Sequence, residues 1–190
     1  MFSITKLKRG LKEDMEKCET EKAEKKKIWD QYFMSMVVVL VSMKSRDPST
    51  KIGADIVGVD NEILSTGYNG FPIGVGYSEK RLQRPLKYKL VCHAERNAID
   101  LAARNGIKLY NSKMYTHGIP CCECCKSIIQ AGIQEIIVFS NYGFISDVWK
   151  EDFEISKMML EESDVKVTYF SEDVYNNLTS LRNGVEWTND

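Results

Sequence analysis

Four cysteines, Cys121, Cys122, Cys124 and Cys125, crowd together directly after Pro120. Adjacent cysteines seldom meet the geometry of a disulfide, and the only other two, Cys18 and Cys92, lie far off in the chain. Thiols packed this tightly suit a metal ion, which prefers thiolate and imidazole together. Only two histidines exist, and one of them, His93, opens the segment His93-Ala94-Glu95 well upstream. A fold that uses both segments must bring two distant stretches of chain to one point. The composition, 43% hydrophobic and 10% aromatic, argues against a disordered or fibrous chain, and a globular domain is built in packed layers.

The pattern along the chain supplies such layers. Residues Lys6 to Lys27 are charge-rich, with Glu and Lys three or four apart, and read as an exposed helix or frayed arm. Apolar Ile28, Tyr32, Met36 and Val39 repeat at helical spacing, so a helix from Ile28 to Met43 is expected to bury that stripe and to end at Asp47-Pro48. Ile52 to Val59 and Ile63 to Gly67 are β-branched runs around the turn signal Asp60-Asn61, a hairpin. A polar, basic loop follows. Then come a helix over Ala94 to Ala103, a strand over Lys113 to Thr116, a helix over Cys121 to Ala131 and a strand over Glu135 to Phe139. A helix over Asp152 to Leu160, a strand over Val165 to Phe170 and a short helix from about Asp173 complete the order. Alternation of this kind predicts an α/β domain over residues 28–171, preceded by the charged arm 1–27 and followed by a C-terminal helix and tail, 172–190.

Composition narrows the partners. The 190 residues carry 26 Lys plus Arg against 27 Asp plus Glu, a net charge of −1. No overall basic field draws this chain to nucleic acid or to an anionic membrane. Its longest apolar stretch, Phe33 to Val41, falls well short of the ~20 residues that span a bilayer. No basic start with an apolar region and cleavage site opens the chain, so a cytoplasmic location is expected.

His93-x-Glu95 followed by Pro120-Cys121-x-x-Cys124 matches the recognised signature of zinc-dependent base deaminases. Zinc takes imidazole and thiolate ligands in a tetrahedron, and a catalytic site keeps one corner for water. Two thiolates and one neutral imidazole cancel the ion's formal charge, while the ion lowers the pKa of its water toward about 7. Cys121 and Cys124 are neighbours at i and i+3, and Pro120 fits a helix opening whose positive end favours thiolate. His93 and Glu95, two apart, both reach a metal only end-on, at a helix entrance. Glu95 is placed to move protons without being a ligand. Cys122 and Cys125 form a competing CxxC one residue later; the first register is favoured because Cys121 directly follows Pro120. Cys18 and Cys92 read as non-ligands. His117 reads as a strand-end residue, with contact to a ligand as its alternative.

The stretch from Trp29 to Phe170 resembles the deoxycytidylate deaminases of the cytidine deaminase superfamily, through DPSTKIGADIV, STGYNGFP, KYKLVCHAERNAI and PCCECCKSIIQAGI. The resemblance implies a three-layer fold, a mixed five-stranded sheet with helices on both faces. It implies zinc on His93, Cys121 and Cys124, Glu95 as the proton shuttle, and hydrolysis of dCMP to dUMP and ammonia, which feeds thymidylate synthesis. Asn69 corresponds to the asparagine that meets the sugar hydroxyls in the family, and Ala94 is counted with it as a substrate contact; the other reading of Asn69-Gly70 is a hairpin turn. By the same resemblance Arg46, Lys44 and Tyr88 approach the phosphate, while Arg81, Arg84 and Lys87 of the basic loop are phosphate candidates. Gly74, Gly76 and Tyr77 fall in the segment where dCTP and dTTP regulate many members, and a homo-oligomer, a hexamer, is implied. Thr116-His117-Gly118 departs from the family's usual small or hydroxyl residue at the histidine position. Other readings are a deaminase of dCTP or of a nucleoside, a tRNA adenosine deaminase, which the net acidic charge disfavours, and a non-enzymatic zinc scaffold, against which Glu95 speaks.

Overall fold

The computed structural model describes residues 4–140, 147–172, 174, 181–182 and 185–186. Its centre is a five-stranded sheet in the order β2-β1-β3-β4-β5. Strands β1 (Gly53–Val57) and β2 (Ile63–Tyr68) form the expected antiparallel hairpin. Asn61 takes a positive φ of 63° in its turn, a conformation asparagine tolerates. Strand β1 also pairs antiparallel with β3 (Lys113–Thr116). From there β3, β4 (Glu135–Phe139) and β5 (Lys166–Phe170) run parallel. Parallel neighbours require crossover helices, and α4 (Cys122–Ala131) and α5 (Asp147–Glu162) are those crossovers.

Strand alternation divides the core into two. On one face Ala54, Ile56, Met114, Ile136 and Val138 meet Ala94, Ala98 and Ala102 of α3 (Ala94–Arg104), Cys125 and Ile128 of α4, and Leu160 of α5. On the other, Val57, Tyr115, Ile137 and Phe170 meet Phe33, Met34 and Val37. Helices therefore cover both faces of a mixed five-stranded sheet, the three-layer α/β architecture expected.

The first helix differs from expectation in which face it buries. Helix α1 (Ile4–Ser35) runs unbroken through the charged arm and continues as π-helical turns over Met36–Val41 and a 3-10 turn over Ser42–Lys44. Ile28 and Tyr32 are 63% and 51% exposed. The buried stripe is Asp30, Phe33, Met34 and Val37, which has equally good helical spacing. Tyr115 decides between the two: its hydroxyl donates to Asp30 at 2.7 Å, and its ring packs 5.1 Å from that of Phe33. The helical turns stop at Lys44, before Asp47-Pro48, where Ser45 turns extended. The basic loop contains a 3-10 turn, Glu79–Leu82, and the short helix α2 (Leu86–Leu90). The short helix expected from Asp173 falls largely outside the described residues; within that tail Leu181–Arg182 pairs with Val185–Glu186.

Candidate active site

Two helix starts converge at the end of the sheet. His93 caps α3 with extended backbone, φ −70° and ψ 157°, and Cys121 caps α4 in the same way, φ −66° and ψ 165°. Pro120 thus sits one residue outside the helix and not at its first position. Strand β2 sets the height of α3. A β-carbon on Gly67 would lie 2.2 Å from the carbonyl oxygen of Ala94 and 2.4 Å from the nitrogen of Ala98, so only glycine lets the helix approach this closely. One residue pair away, the Ser65 hydroxyl donates to the Ala98 carbonyl at 2.7 Å.

This convergence places Nδ1 of His93 3.2 Å from Sγ of Cys121 and 3.6 Å from Sγ of Cys124. Ligand atoms of the three residues all lie within 4.8 Å of one another. Tetrahedral zinc, with Zn–S of about 2.3 Å and Zn–N of about 2.0 Å, sets its ligand atoms roughly 3.5–3.8 Å apart, so the trio can hold one ion and leave one corner open. Hydrogen bonding with Cys124, then with His93, brings the Cys121 thiol down to about 4. The Cys121 contact in turn lifts His93 to about 9. The Cys121 sulfur thus favours thiolate, whereas a hydrogen bond to Cys121 and burial push the Cys124 thiol up, so that its proton would leave only as a metal binds.

The other CxxC register is used for structure. The Cys122 thiol donates to the Asp152 carbonyl at 3.1 Å, and that of Cys125 to the Pro120 carbonyl at 3.4 Å. Burial pushes the Cys125 thiol up to about 12, and neither Cys122 nor Cys125 joins His93 in the ligand cluster. Cys18, exposed on α1, and Cys92 stand outside the cluster.

Glu95 is buried in the first turn of α3, its Oε2 3.8 Å from the Cys124 sulfur. Burial pushes its carboxyl up, and the neighbouring His93 opposes that shift. Its Oε1 accepts a hydrogen bond from the Thr116 hydroxyl at 3.3 Å. Thr116 belongs to no catalytic motif, but alternation in β3 puts it on the same face as Met114, toward α3. His117 is buried at the strand end, and its Nδ1 accepts from the Gly53 N–H at 3.3 Å.

The remaining candidates separate into buried and exposed groups. Asn69 is buried: its Oδ1 accepts from the Ile52 N–H at 2.8 Å, and its Nδ2 donates to the Thr50 carbonyl at 2.9 Å and reaches Asp47 at 3.5 Å. Asn69-Gly70 is therefore no hairpin turn; Gly70 bridges to Cys92, immediately before His93. Lys87 has partners that the sequence does not reveal. Its ammonium is buried, 2.5 Å from Asp47 and 2.8 Å from the Ser49 hydroxyl, so its charge is already neutralised and it braces the 47–50 loop. Burial works against the Asp47 carboxylate, yet Lys87 and Ser49 hold it below its ordinary range. Arg46 lies over the Tyr77 ring at 4.9 Å, Arg84 over Tyr88 at 5.4 Å, and Arg81 donates to the Gly76 carbonyl at 2.7 Å. Tyr77 stacks on Phe71 at 4.4 Å and accepts its N–H at 3.0 Å. Lys44 and Tyr88 are exposed, Gly74 takes a positive φ of 86°, and Ala94 is fully buried in the core.

Comparison with known proteins agrees with this geometry. The cytidine and deoxycytidylate deaminase zinc-binding region matches residues 27–140. Deoxycytidylate deaminase of Homo sapiens is 41% identical over 127 residues, 63% of this chain and 68% of that protein. The mammalian relatives are thus matched over 65–68% of their length. An uncharacterized deaminase of Aliivibrio fischeri is 34% identical over 146 residues, 77% of this chain and 96% of its own. The crystal structure of dCMP deaminase from cyanophage S-TIM5 superposes with a TM-score of 0.56 at 26% identity, covering 74% of this chain and 96% of that one. With residues 27–140 matching the family model and His93, Cys121 and Cys124 brought together so that they could hold a metal ion, the chain belongs to the zinc-binding cytidine and deoxycytidylate deaminase family.

Proposed function

We propose that this chain hydrolyses dCMP to dUMP and ammonia. The observation that carries the reading is the His93–Cys121–Cys124 cluster with the buried Glu95 carboxylate at its edge. Zinc bound there would activate the attacking water at neutral pH. Glu95 would take one proton from the attacking water and deliver it to the ring nitrogen as oxygen joins C4, then carry the remaining hydroxyl proton to the amino group, so that the C4–N bond breaks and ammonia leaves. Thr116 holds one oxygen of Glu95, leaving the other on the metal side.

The nucleotide assignment draws on relatives named deoxycytidylate deaminase and on an S-TIM5 structure described as a complex with dCMP and dUMP. Asn69 and Ala94 are assigned to the nucleoside part. Arg46, Lys44, Tyr88, Arg81 and Arg84 are assigned to the phosphate side, supported by their exposure. Lys87 acts from beneath, through Asp47. Residues Gly74, Gly76 and Tyr77 are assigned to a dCTP/dTTP effector site, supported by the Phe71–Tyr77 stack beside Arg46. The working form is taken as a homo-oligomer, a hexamer, in the cytoplasm, with residues 28–171 as the deaminase unit. No helix among the described residues is long and apolar enough to cross a membrane.

The test is the ratio of kcat/KM for dCMP over deoxycytidine, with CMP and dCTP alongside. A phosphate held by two charge-assisted contacts of ~1.5–3 kcal/mol each predicts a preference of about a hundredfold or more for dCMP. Equal efficiency on the nucleoside would overturn the nucleotide assignment.

A further inference from the structure

We infer that Asp152 is a positioning residue for the metal centre, gripping Cys122 from helix α5 so that the adjacent Cys121 sulfur is fixed in direction. The inference rests on His93, Cys121 and Cys124 being the metal ligands. The Asp152 carboxylate accepts the backbone N–H of Cys122 at 2.9 Å, and its carbonyl accepts the Cys122 thiol at 3.1 Å. One turn further along α5, the Ser156 hydroxyl reaches the same sulfur at 3.6 Å. Three contacts from one helix thus converge on the residue that directly follows a ligand.

The need for such a clasp follows from the first turn of α4. A helix start leaves N–H groups without partners inside the helix, and the cap side chain ordinarily accepts one of them. Here the cap is Cys121, which makes no such capping bond and is committed to the metal. Asp152 supplies the missing acceptor from outside. A carboxylate on the helix N-terminus is also favoured by the helix dipole. The grip accounts for the second CxxC as well, since the thiol of Cys122 faces α5 and serves the clasp. Partners of this kind around a metal typically change metal affinity or activity by about 10–100-fold.

The experiment compares wild type, Asp152→Ala, Asp152→Asn and Glu154→Ala. Zinc affinity is read by competition with a chelator, and ligand geometry by the visible d–d and thiolate charge-transfer bands of the cobalt(II)-substituted protein. Glu154 lies on the same helix, exposed and paired with Lys157, and serves as the control. Asp152→Ala is expected to weaken zinc roughly 10–100-fold and to shift the cobalt bands. Asp152→Asn, which keeps an acceptor oxygen, is expected to restore most of both, and Glu154→Ala to match wild type. If Asp152→Ala fails to fold, the Asp152→Asn and Ser156→Ala spectra decide, Ser156→Ala predicting a smaller shift. Unchanged cobalt bands and zinc affinity in the folded Asp152 variants would overturn the clasp while leaving the ligand assignment intact. A wild-type protein that takes up neither metal would overturn the ligand assignment and the clasp together.

Discussion

Nδ1 of His93 lies 3.2 Å from Sγ of Cys121, although 28 positions of chain separate them and each caps a different helix. Nothing local holds them together. Their distance is set by the packing of α3 and α4 on one face of the sheet, so the metal site reports directly on the tertiary fold.

That packing separates the four cysteines into two functional pairs. Cys121→Ser and Cys124→Ser are expected to lose stoichiometric zinc, while Cys122→Ser and Cys125→Ser retain it, as metal analysis of the purified proteins will read. Serine at 122 keeps a donor for the Asp152 carbonyl. Zinc loss confined to the second pair would reverse the assignment.

Glu95→Gln preserves the shape of the side chain and removes its ability to take a proton. The variant is expected to keep its zinc and its melting temperature and to lose at least ~10²–10⁴ in kcat, the range for a positioned general acid/base. Turnover near the wild-type rate would remove Glu95 from the reaction.

Gly67→Ala tests the link between strand β2 and the site. Its methyl group would meet backbone atoms of Ala94 and Ala98, which cannot swing aside as a side chain can. Overpacking of this kind costs about 1–3 kcal/mol. Because His93 and Glu95 sit in the same turn, kcat is expected to fall even at temperatures where the variant is fully folded. A variant with wild-type kcat under those conditions would show that α3 tolerates the displacement.

Much of this architecture is legible in the sequence because local signals and the fold agree. The β-branched runs around Asp60-Asn61 form the hairpin, and the His93 and Cys121 segments each open a helix. What was not legible depends on contacts between elements. The stripes Ile28/Tyr32 and Asp30/Phe33/Met34/Val37 have equal helical spacing, and the sheet face carrying Val57, Tyr115, Ile137 and Phe170, far along the chain, selects the second. Lys87 looks like any other cation of the basic loop until the fold buries it against Asp47. Thr116 and Asp152 carry no motif; their roles arise from where β3 and α5 pass the two helix starts.

Asp55 predicts an unusual pH dependence of stability. It lies within β1, between Thr66 and Tyr115 on the neighbouring strands, with neither carboxylate oxygen hydrogen-bonded among the described residues. Burial pushes its carboxyl from 3.8 up to about 7. The folded state therefore binds this proton more tightly than the unfolded chain, and the contribution, intact below about pH 4, is lost as pH rises to about 7. At ~1.4 kcal/mol per unit the loss is on the order of 4 kcal/mol. Urea unfolding at pH 5 and pH 8 is expected to show the wild type weaker at pH 8 and the Asp55→Asn variant with a much smaller difference. The same pH difference in both proteins would assign the effect elsewhere.

Hydrolysis itself is measured by incubating the zinc-loaded protein with dCMP and following dUMP and ammonia together. Equal amounts of the two products are expected, with activity abolished when a chelator strips the metal and restored when zinc is returned. Zinc-loaded, folded protein that leaves dCMP unchanged, or turnover that persists after the metal is removed, would contradict zinc-dependent hydrolysis of dCMP.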